Sequence, residues 1–151
     1  MLLKQEAVDL IKRFEGYRAK PYLCSAGVPT IGYGSTFYAD GTKVTLQDSP
    51  INQQIANELL DLTLNKIFIP GVLRACPVLV AYPDKLGAIV SFAYNLGLGR
   101  LQSSTLRRKI NTKDWDGAAE EILKWNLNLG KPSKGLIARR EAEKALFCIS
   151  S

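Results

Sequence analysis

The 151-residue chain contains no histidine, and this absence removes several mechanisms at once. Ser-His-Asp and Cys-His nucleophilic catalysis, and the usual zinc hydrolases, lack their parts. Cysteine is also sparse. Cys24, Cys76 and Cys148 are an odd number without CxxC spacing, so neither a metal cage nor a full disulfide framework is indicated. Cys76 and Cys148 lie in apolar runs, RACPVLV and ALFCI, and read as small core residues. No low-complexity tract, short repeat or long uninterrupted apolar stretch is present. The first residues, MLLKQEAVDLIKRFEG, carry Lys4, Glu6 and Asp9, which is neither a signal-peptide core nor a membrane span.

What is present is the composition of an ordinary globular domain, 46% apolar and 23% charged. The net charge is +6, from 20 basic and 14 acidic residues. Such a balance attracts polyanions without naming which, cell-wall polymer or nucleic acid. The basic clusters Arg107-Arg108-Lys109 and Arg139-Arg140 fall in helix-like segments.

The chemistry concentrates in residues 13–36, RFEGYRAKPYLCSAGVPTIGYGST. Leu3, Ala7, Leu10, Ile11 and Phe14 recur at helical spacing, and Glu15 closes that run just before Gly16, a helix stop. A carboxyl at a helix C-terminus faces the negative end of the dipole. Against apolar neighbours it is favoured in its neutral form, the form a general acid needs. Lys20-Pro21 bars further helix, and Thr30-Ile31-Gly32-Tyr33-Gly34 reads as the first strand of a small sheet. Ala39-Asp40-Gly41 then turns the chain so that Thr42–Thr45 returns as its partner.

This stretch resembles the catalytic segment of the phage-type lysozymes, the endolysin family related to phage T4 lysozyme. That family carries a glutamate, an aspartate nine residues later and a threonine six beyond. Glu15, Cys24 and Thr30 occupy that spacing here, with cysteine replacing the aspartate, as in some family members. The segments EGYRAKPY, TIGYGST, SFAYNLGLG, WDGAAEEILKW and GLIARREAEKALF carry the resemblance from about residue 6 to 148.

It implies an α+β, mainly helical lysozyme-like fold with a small antiparallel sheet or hairpin next to the active-site cleft. The expected organisation is a single catalytic domain over 1–151, with a β-containing lobe at about 16–48, a connecting helix at about 50–67, and a helical lobe at about 72–151 plus the N-terminal helix. The residues themselves suggest a helix over 46–69 with Ser49-Pro50 and Asn52 as competing caps, ended by Pro70-Gly71. Residues 72–82 suggest a short helix or kinked turns, and a buried helix opens at Pro83-Asp84 and stops at Gly97. A helix capped by Ser103-Ser104-Thr105 follows, then one from Trp115 to Trp125, a loop over Asn126–Lys134 and a last helix over GLIARREAEKALF.

The implied activity is that of an endolysin, a muramidase cutting the β-1,4 bond between N-acetylmuramic acid and N-acetylglucosamine. Glu15 would be the general acid. Cys24 with Thr30 would activate water with inversion, or Cys24 would attack covalently with retention, or Cys24 would stay passive while Thr30 holds the water. A thiol is only partly ionised at neutral pH unless a neighbour favours the thiolate, and Arg18 and Lys20 are near in sequence. Tyr33, Gly34 and Thr36 would floor the sugar groove, and Tyr94 and Asn95 would line its inner wall. An arginine of the last helix contacts the glutamate in this family, with Arg139 the best placement and Arg140 second. The residues alone also allow an intrahelical pair of either with Glu143 worth a few tenths of a kcal/mol. No metal or other cofactor is expected. The partner would be peptidoglycan, met by a monomer without a membrane anchor. It would wait in the host cytoplasm until a holin opens the way to the periplasm and wall.

Two other functions compete. One is a catalytically weak peptidoglycan-binding protein, against which intact Glu15 and Thr30 argue. The other is a basic nucleic-acid-binding helical domain, which lacks a recognition-helix motif or an aromatic-basic platform.

Overall fold

The computed structural model describes residues 3–149, which divide into two compact units. One holds the chain up to Phe14 and from Ile67 onward; the other holds Glu15–Lys66.

The Glu15–Lys66 unit begins at the end of α1 (Gln5–Glu15). Gly16 takes φ +75°, the left-handed turn that releases the helix, and β1 (Arg18–Leu23) pairs antiparallel with β2 (Pro29–Gly32). Pro21 has no N–H to give a ladder, and it lies in the irregular stretch between the Arg18–Gly32 and Tyr22–Thr30 pairs. The hairpin therefore differs from the one expected. The partner of TIGYG is RAKPYL, which precedes it, while Thr42–Thr45 pairs with the later 36–38 stretch, through the bridge Phe37–Lys43, the Val44 N–H to Thr36 O bond of 2.9 Å and the Tyr38 N–H to Thr42 O bond of 2.9 Å. Alternation over Thr42–Thr45 reflects Val44, which is buried with Ile31 and Leu59 against Tyr38 and Ile51. The Asp40-Gly41 turn is present, with Asp40 accepting from Thr42 N–H at 2.9 Å and its hydroxyl at 2.7 Å. Asp48 braces the same loop, accepting from the Tyr38 hydroxyl at 2.7 Å and from Thr45. Burial and the Asp48 carboxylate together push the Tyr38 phenol up to about 12.

The expected 46–69 helix is shorter at its start and does not stop where proline suggested. Asn52 is the cap that wins, its side chain accepting from Ile55 N–H, and α2 runs Gln53–Thr63. A π-type turn follows at Leu64–Phe68, then α3 (Ile69–Ala75). Pro70 lies in the first turn of α3, where its missing N–H costs nothing. Pro70-Gly71 thus begins a helix.

The larger unit is helical. After α3 come a 3₁₀ turn (Pro77–Ala81), α4 (Pro83–Leu96), α5 (Leu98–Gln102), α6 (Thr105–Asn111), α7 (Trp115–Leu123), and α8 (Lys134–Phe147). Helix starts follow the sequence signals: Ser104, Asp114 and Ser133 each accept from a backbone N–H three residues on. The expected loop between α7 and α8 holds a small hairpin, β3 (Leu127–Asn128) with β4 (Lys131–Pro132). Buried on every side from Asp84 to Ala93, α4 is the helix around which α1 and α8 pack. Cys76 is buried, and desolvation pushes its thiol up to about 11. Cys148 is exposed, contrary to expectation: α8 ends at Phe147 and Cys148 falls one residue past the face that carries Leu146 and Phe147 into the core. All three cysteines are free thiols.

The contact between α1 and α4 is close enough to require glycine. A Cβ built on Gly87 would stand 2.6 Å from Ala7 Cβ, an atom fixed to a helix backbone. Gly87→Ala would gain about 1 kcal/mol of helix propensity, but overpacking typically costs ~1–3 kcal/mol, and this neighbour cannot swing away. A lowered thermal midpoint is expected for Gly87→Ala. A smaller loss is expected for Gly71→Ala, whose obstacle is the flexible end of Leu98; calorimetry on both variants checks the order.

Candidate active site

Glu15, Cys24 and Thr30 all fall in the Glu15–Lys66 unit. Glu15 is the last residue of α1, half-buried. Thr30 is at the middle of β2, 3% exposed, its Oγ1 donating to Val28 O at 2.8 Å. Cys24 follows β1 immediately, half-buried, in the turn that joins the two strands. That turn is closed by Cys24 N–H to Val28 O at 3.1 Å and Gly27 N–H to Cys24 O at 2.8 Å, with Gly27 at φ +77°.

The Cys24 thiol is held below its ordinary value first by the Val28 N–H, against an upward push from burial that is next in size, with smaller help from the Ala26 N–H and the Thr30 hydroxyl. The stabilisation comes from the backbone and Thr30. Arg18 and Lys20, the basic neighbours suggested by the sequence, are not its source. The Arg18 guanidinium lies over the Tyr22 ring instead, 4.4 Å from its centroid. Thr30 has one hydroxyl proton, so donating to Val28 O and donating to a thiolate are alternatives, switched by rotation of the hydroxyl about its Cβ–Oγ1 bond.

The sequence reading gave no role to Tyr22, which the hairpin register makes the cross-strand partner of Thr30. Its phenol is pushed up by burial first, then by the Glu15 carboxylate, with Cys24 a smaller contributor and Arg18 opposing. Tyr22 is therefore within electrostatic reach of both groups. The period-2 alternation of a strand over RAKPYL was the available signal, obscured by Pro21.

Of the residues expected to floor a groove, Tyr33 is buried, 5.7 Å ring to ring from Tyr17, and its hydroxyl accepts from Gln53 Nε2 at 3.0 Å. Gly34 takes φ +92° and Thr36 is half-buried, its carbonyl engaged by Val44. Tyr17 donates to Ile51 O at 2.9 Å and so ties the segment after Glu15 to the start of α2.

The remaining expected residues lie in the larger unit. The Tyr94 ring packs on Phe68, centroids 5.0 Å apart, and Asn95 Oδ1 accepts from Arg140 Nη2 at 2.8 Å. Arg139 and Arg140 are buried, and both pair with Glu143. Arg139 Nε reaches Glu143 Oε2 at 3.3 Å and its Nη2 donates to Ser91 O at 3.2 Å. Arg140 Nη2 donates to Glu143 Oε2 at 3.1 Å, and its Nε stands 2.7 Å from Oε1 without hydrogen-bond alignment. Ser91 Oγ donates to the same carboxylate at 2.6 Å. The intrahelical pairing allowed by spacing is thus real but enclosed, so the surface-pair magnitude does not apply. Ser91 has no part in the pairing expected from sequence, although a lone serine in the apolar helix α4 is a visible sign. Among the described residues no cluster of His, Cys, Asp or Glu is arranged to hold a metal ion.

A mainly helical chain whose described residues hold two short antiparallel hairpins, one of them following directly on a carboxyl at a helix end, has the architecture of the lysozyme-like α+β class. Within that class the chain belongs to the phage lysozyme family, whose sequence profile matches residues 12–143. It is 40% identical over 147 residues to the endolysin of Bacillus phage B103, covering 97% of this chain and 54% of that protein. To the endolysin of Salmonella phage P22 it is 34% identical over 150 residues, covering 97% of this chain and 98% of that one. The chain thus spans about half the length of some curated relatives and nearly all of others. Among solved structures, the endolysin from Escherichia coli O157:H7 phage FAHEc1 superposes with a TM-score of 0.82 at 33% identity, over 100% of this chain and 96% of that one.

The amide-and-hydroxyl origin of the Cys24 shift has a direct readout. Alkylation of Cys24 by iodoacetamide, followed against pH in a Cys148→Ser background, is expected to rise through a midpoint below the ordinary thiol value, because only the thiolate reacts. Thr30→Val removes one donor to the anion and is expected to move that midpoint up. An unchanged midpoint would show the hydroxyl plays no part.

Proposed function

We propose that the chain is an endolysin of the muramidase type, hydrolysing the β-1,4 bond between N-acetylmuramic acid and N-acetylglucosamine in peptidoglycan. The observation that carries this reading is the turn at Cys24, which stabilises an anion at the position where the family usually has a carboxylate. Glycoside hydrolysis needs an acid for the leaving oxygen and a second group for water. Glu15 gives its proton to the glycosidic oxygen as the bond to the anomeric carbon breaks. The Cys24 thiolate takes a proton from a water held by Thr30 as that water's oxygen attacks the same carbon from the opposite face. One sugar leaves with a new hydroxyl from Glu15's proton and the other with inverted configuration; exchange with solvent restores Glu15 and the thiolate.

A second reading follows from the same observation, since a stabilised thiolate is also a nucleophile. Covalent attack by Sγ would form a thioglycoside, later opened by water, with retention. Inversion is preferred because Thr30, the cross-strand neighbour of Tyr22, supplies a hydroxyl that a water-activating site uses and a covalent one does not require. Tyr33, Gly34 and Thr36 would support the sugar from the hairpin side, and Tyr94 and Asn95 from α4. Arg139, with Arg140 beside it, would steady the Glu15 carboxyl, as the family resemblance implies. The charge of +6 suits a wall rich in anionic polymers. Among the described residues no helix is long and apolar enough to cross a membrane, which fits an enzyme that reaches the wall through holin lesions and works as a monomer in the periplasm. EC class 3.2.1.17 describes this activity.

The test is turbidity loss of outer-membrane-permeabilised Gram-negative cells, at matched folding by circular dichroism. Glu15→Gln is expected to lose about 10²–10⁴-fold, the usual worth of a general acid. Cys24→Ser is expected to be crippled while Cys24→Asp survives. Lysis by Glu15→Gln at the wild-type rate would overturn the assignment. The anomer first released, read by NMR, separates inversion from retention.

A further inference from the structure

The β3–β4 hairpin breaks two local rules at one residue. Its base is closed by Ser133 N–H to Asn126 O at 3.0 Å, and its turn, between the paired Asn128 and Lys131, places Leu129 at φ +52° and Gly130 at φ +78°. Two central residues with positive φ make the tight hairpin turn that normally selects Asn-Gly or Gly-Gly. Leucine there is strained, because its Cβ crowds the carbonyl oxygen. Nothing inside the fold compensates, since Leu129 is 96% exposed and Leu127, two residues earlier, is 55% exposed. Strain and exposed apolar surface that serve no internal packing mark a place where an outside partner supplies the gain.

The chemistry around the tip indicates which partner. Lys131 and Lys134 are exposed, and the sequence has no acidic residue between Glu121 and Glu141. Lys124 is paired with Glu121 at the edge of this stretch. The hairpin is only two residues long on each strand. It has no concave face to hold a sugar ring, whereas a fluid, anionic interface accepts a projecting aliphatic group and rewards flanking lysines.

We propose that the β3–β4 hairpin is a membrane-contact element, in which Leu129 and Leu127 enter the interfacial layer of an anionic lipid bilayer while Lys131 and Lys134 meet its headgroups. The contact is reversible and peripheral. It uses one loop, is weakened by salt, and is independent of the hydrolytic groups, none of which lies on this hairpin.

The test is co-sedimentation of the full chain with large unilamellar vesicles, phosphatidylglycerol mixed with phosphatidylethanolamine in one arm and phosphatidylcholine alone in the other, beside purified peptidoglycan sacculi. Partition onto the anionic vesicles and not the neutral ones is expected, falling as salt is raised. Leu129→Gly suits the turn better than leucine, so its melting temperature should hold or rise while vesicle partition falls roughly tenfold or more, the worth of a few buried methylenes. Lys131→Glu with Lys134→Glu should weaken vesicle binding on the order of tenfold or more. Solubilisation of sacculi by Leu129→Gly should stay at the wild-type rate. The proposal is overturned if the wild type ignores anionic vesicles, if Leu129→Gly binds them equally well, or if Leu129→Gly loses sacculus binding alone, which would make the tip a wall contact.

Discussion

One carboxylate shared by two guanidiniums holds the helical unit in register. Glu143 is fully enclosed, and burial pushes its carboxyl up from the ordinary range while Arg140, Arg139 and the Ser91 hydroxyl pull against that push. Three formal charges out of water are expensive, and an apolar replacement of the whole set would often be no less stable. What the cluster supplies is uniqueness of position. Through it α8 is tied to α4 at Ser91 and Asn95, and to the end of α7 through Arg140 and the Trp125 carbonyl at 3.4 Å. Removing Glu143 alone would strand two buried cations, and such a break costs about 3–5 kcal/mol. The Arg139 guanidinium also lies 5.9 Å from the Phe14 ring centroid, which adds a contact between α8 and α1.

A second buried cation follows a different logic. Lys85 is 1% exposed, its ammonium donating to Phe147 O at 3.0 Å and lying 5.2 Å from the Trp115 ring and 5.0 Å from that of Phe147. Aromatic faces and a helix-end carbonyl receive it. The C-terminus of α8 is thus anchored by a cation from α4, while its middle is anchored by an anion of its own. Both anchors place α4 at the centre, which is why a helix so apolar in sequence carries Lys85 and Ser91 on buried faces.

The sequence made the helical unit readable because its signals are local. Ser104, Asp114 and Gly97 stop and start helices at the places their chemistry predicts, and α4 reads as buried from its unbroken apolar run. The hairpin was harder. A strand containing Pro21 and three charged or aromatic residues among six does not alternate cleanly, so its pairing with β2 is a tertiary fact that leaves little trace in RAKPYL. Pro70 misled for a related reason: proline ends one helix or opens the next, and only the geometry of the π-type turn at Leu64–Phe68 decides. At the candidate site, the spacing of Glu15, Cys24 and Thr30 was visible. The groups that stabilise the thiolate were not, because backbone amides have no letter in the sequence.

That last point bears on why a thiol can stand at a position where its relatives usually have a carboxylate. An aspartate has an ordinary pKa far below neutral, so the turn need do little more than hold it in place. A thiol must also be persuaded to ionise, and a lysine or arginine doing that work would be mobile, screened by salt and drawn to the anionic wall itself. Amides of Val28 and Ala26 have none of those weaknesses. Their direction is set by the closure of a turn that depends on Gly27 at positive φ, and they carry no net charge for a polyanion to compete over. The requirement for glycine at position 27 and the tolerance for cysteine at position 24 are on this argument one constraint. The backbone geometry that closes the hairpin is also what favours the ionised form of its sulfur.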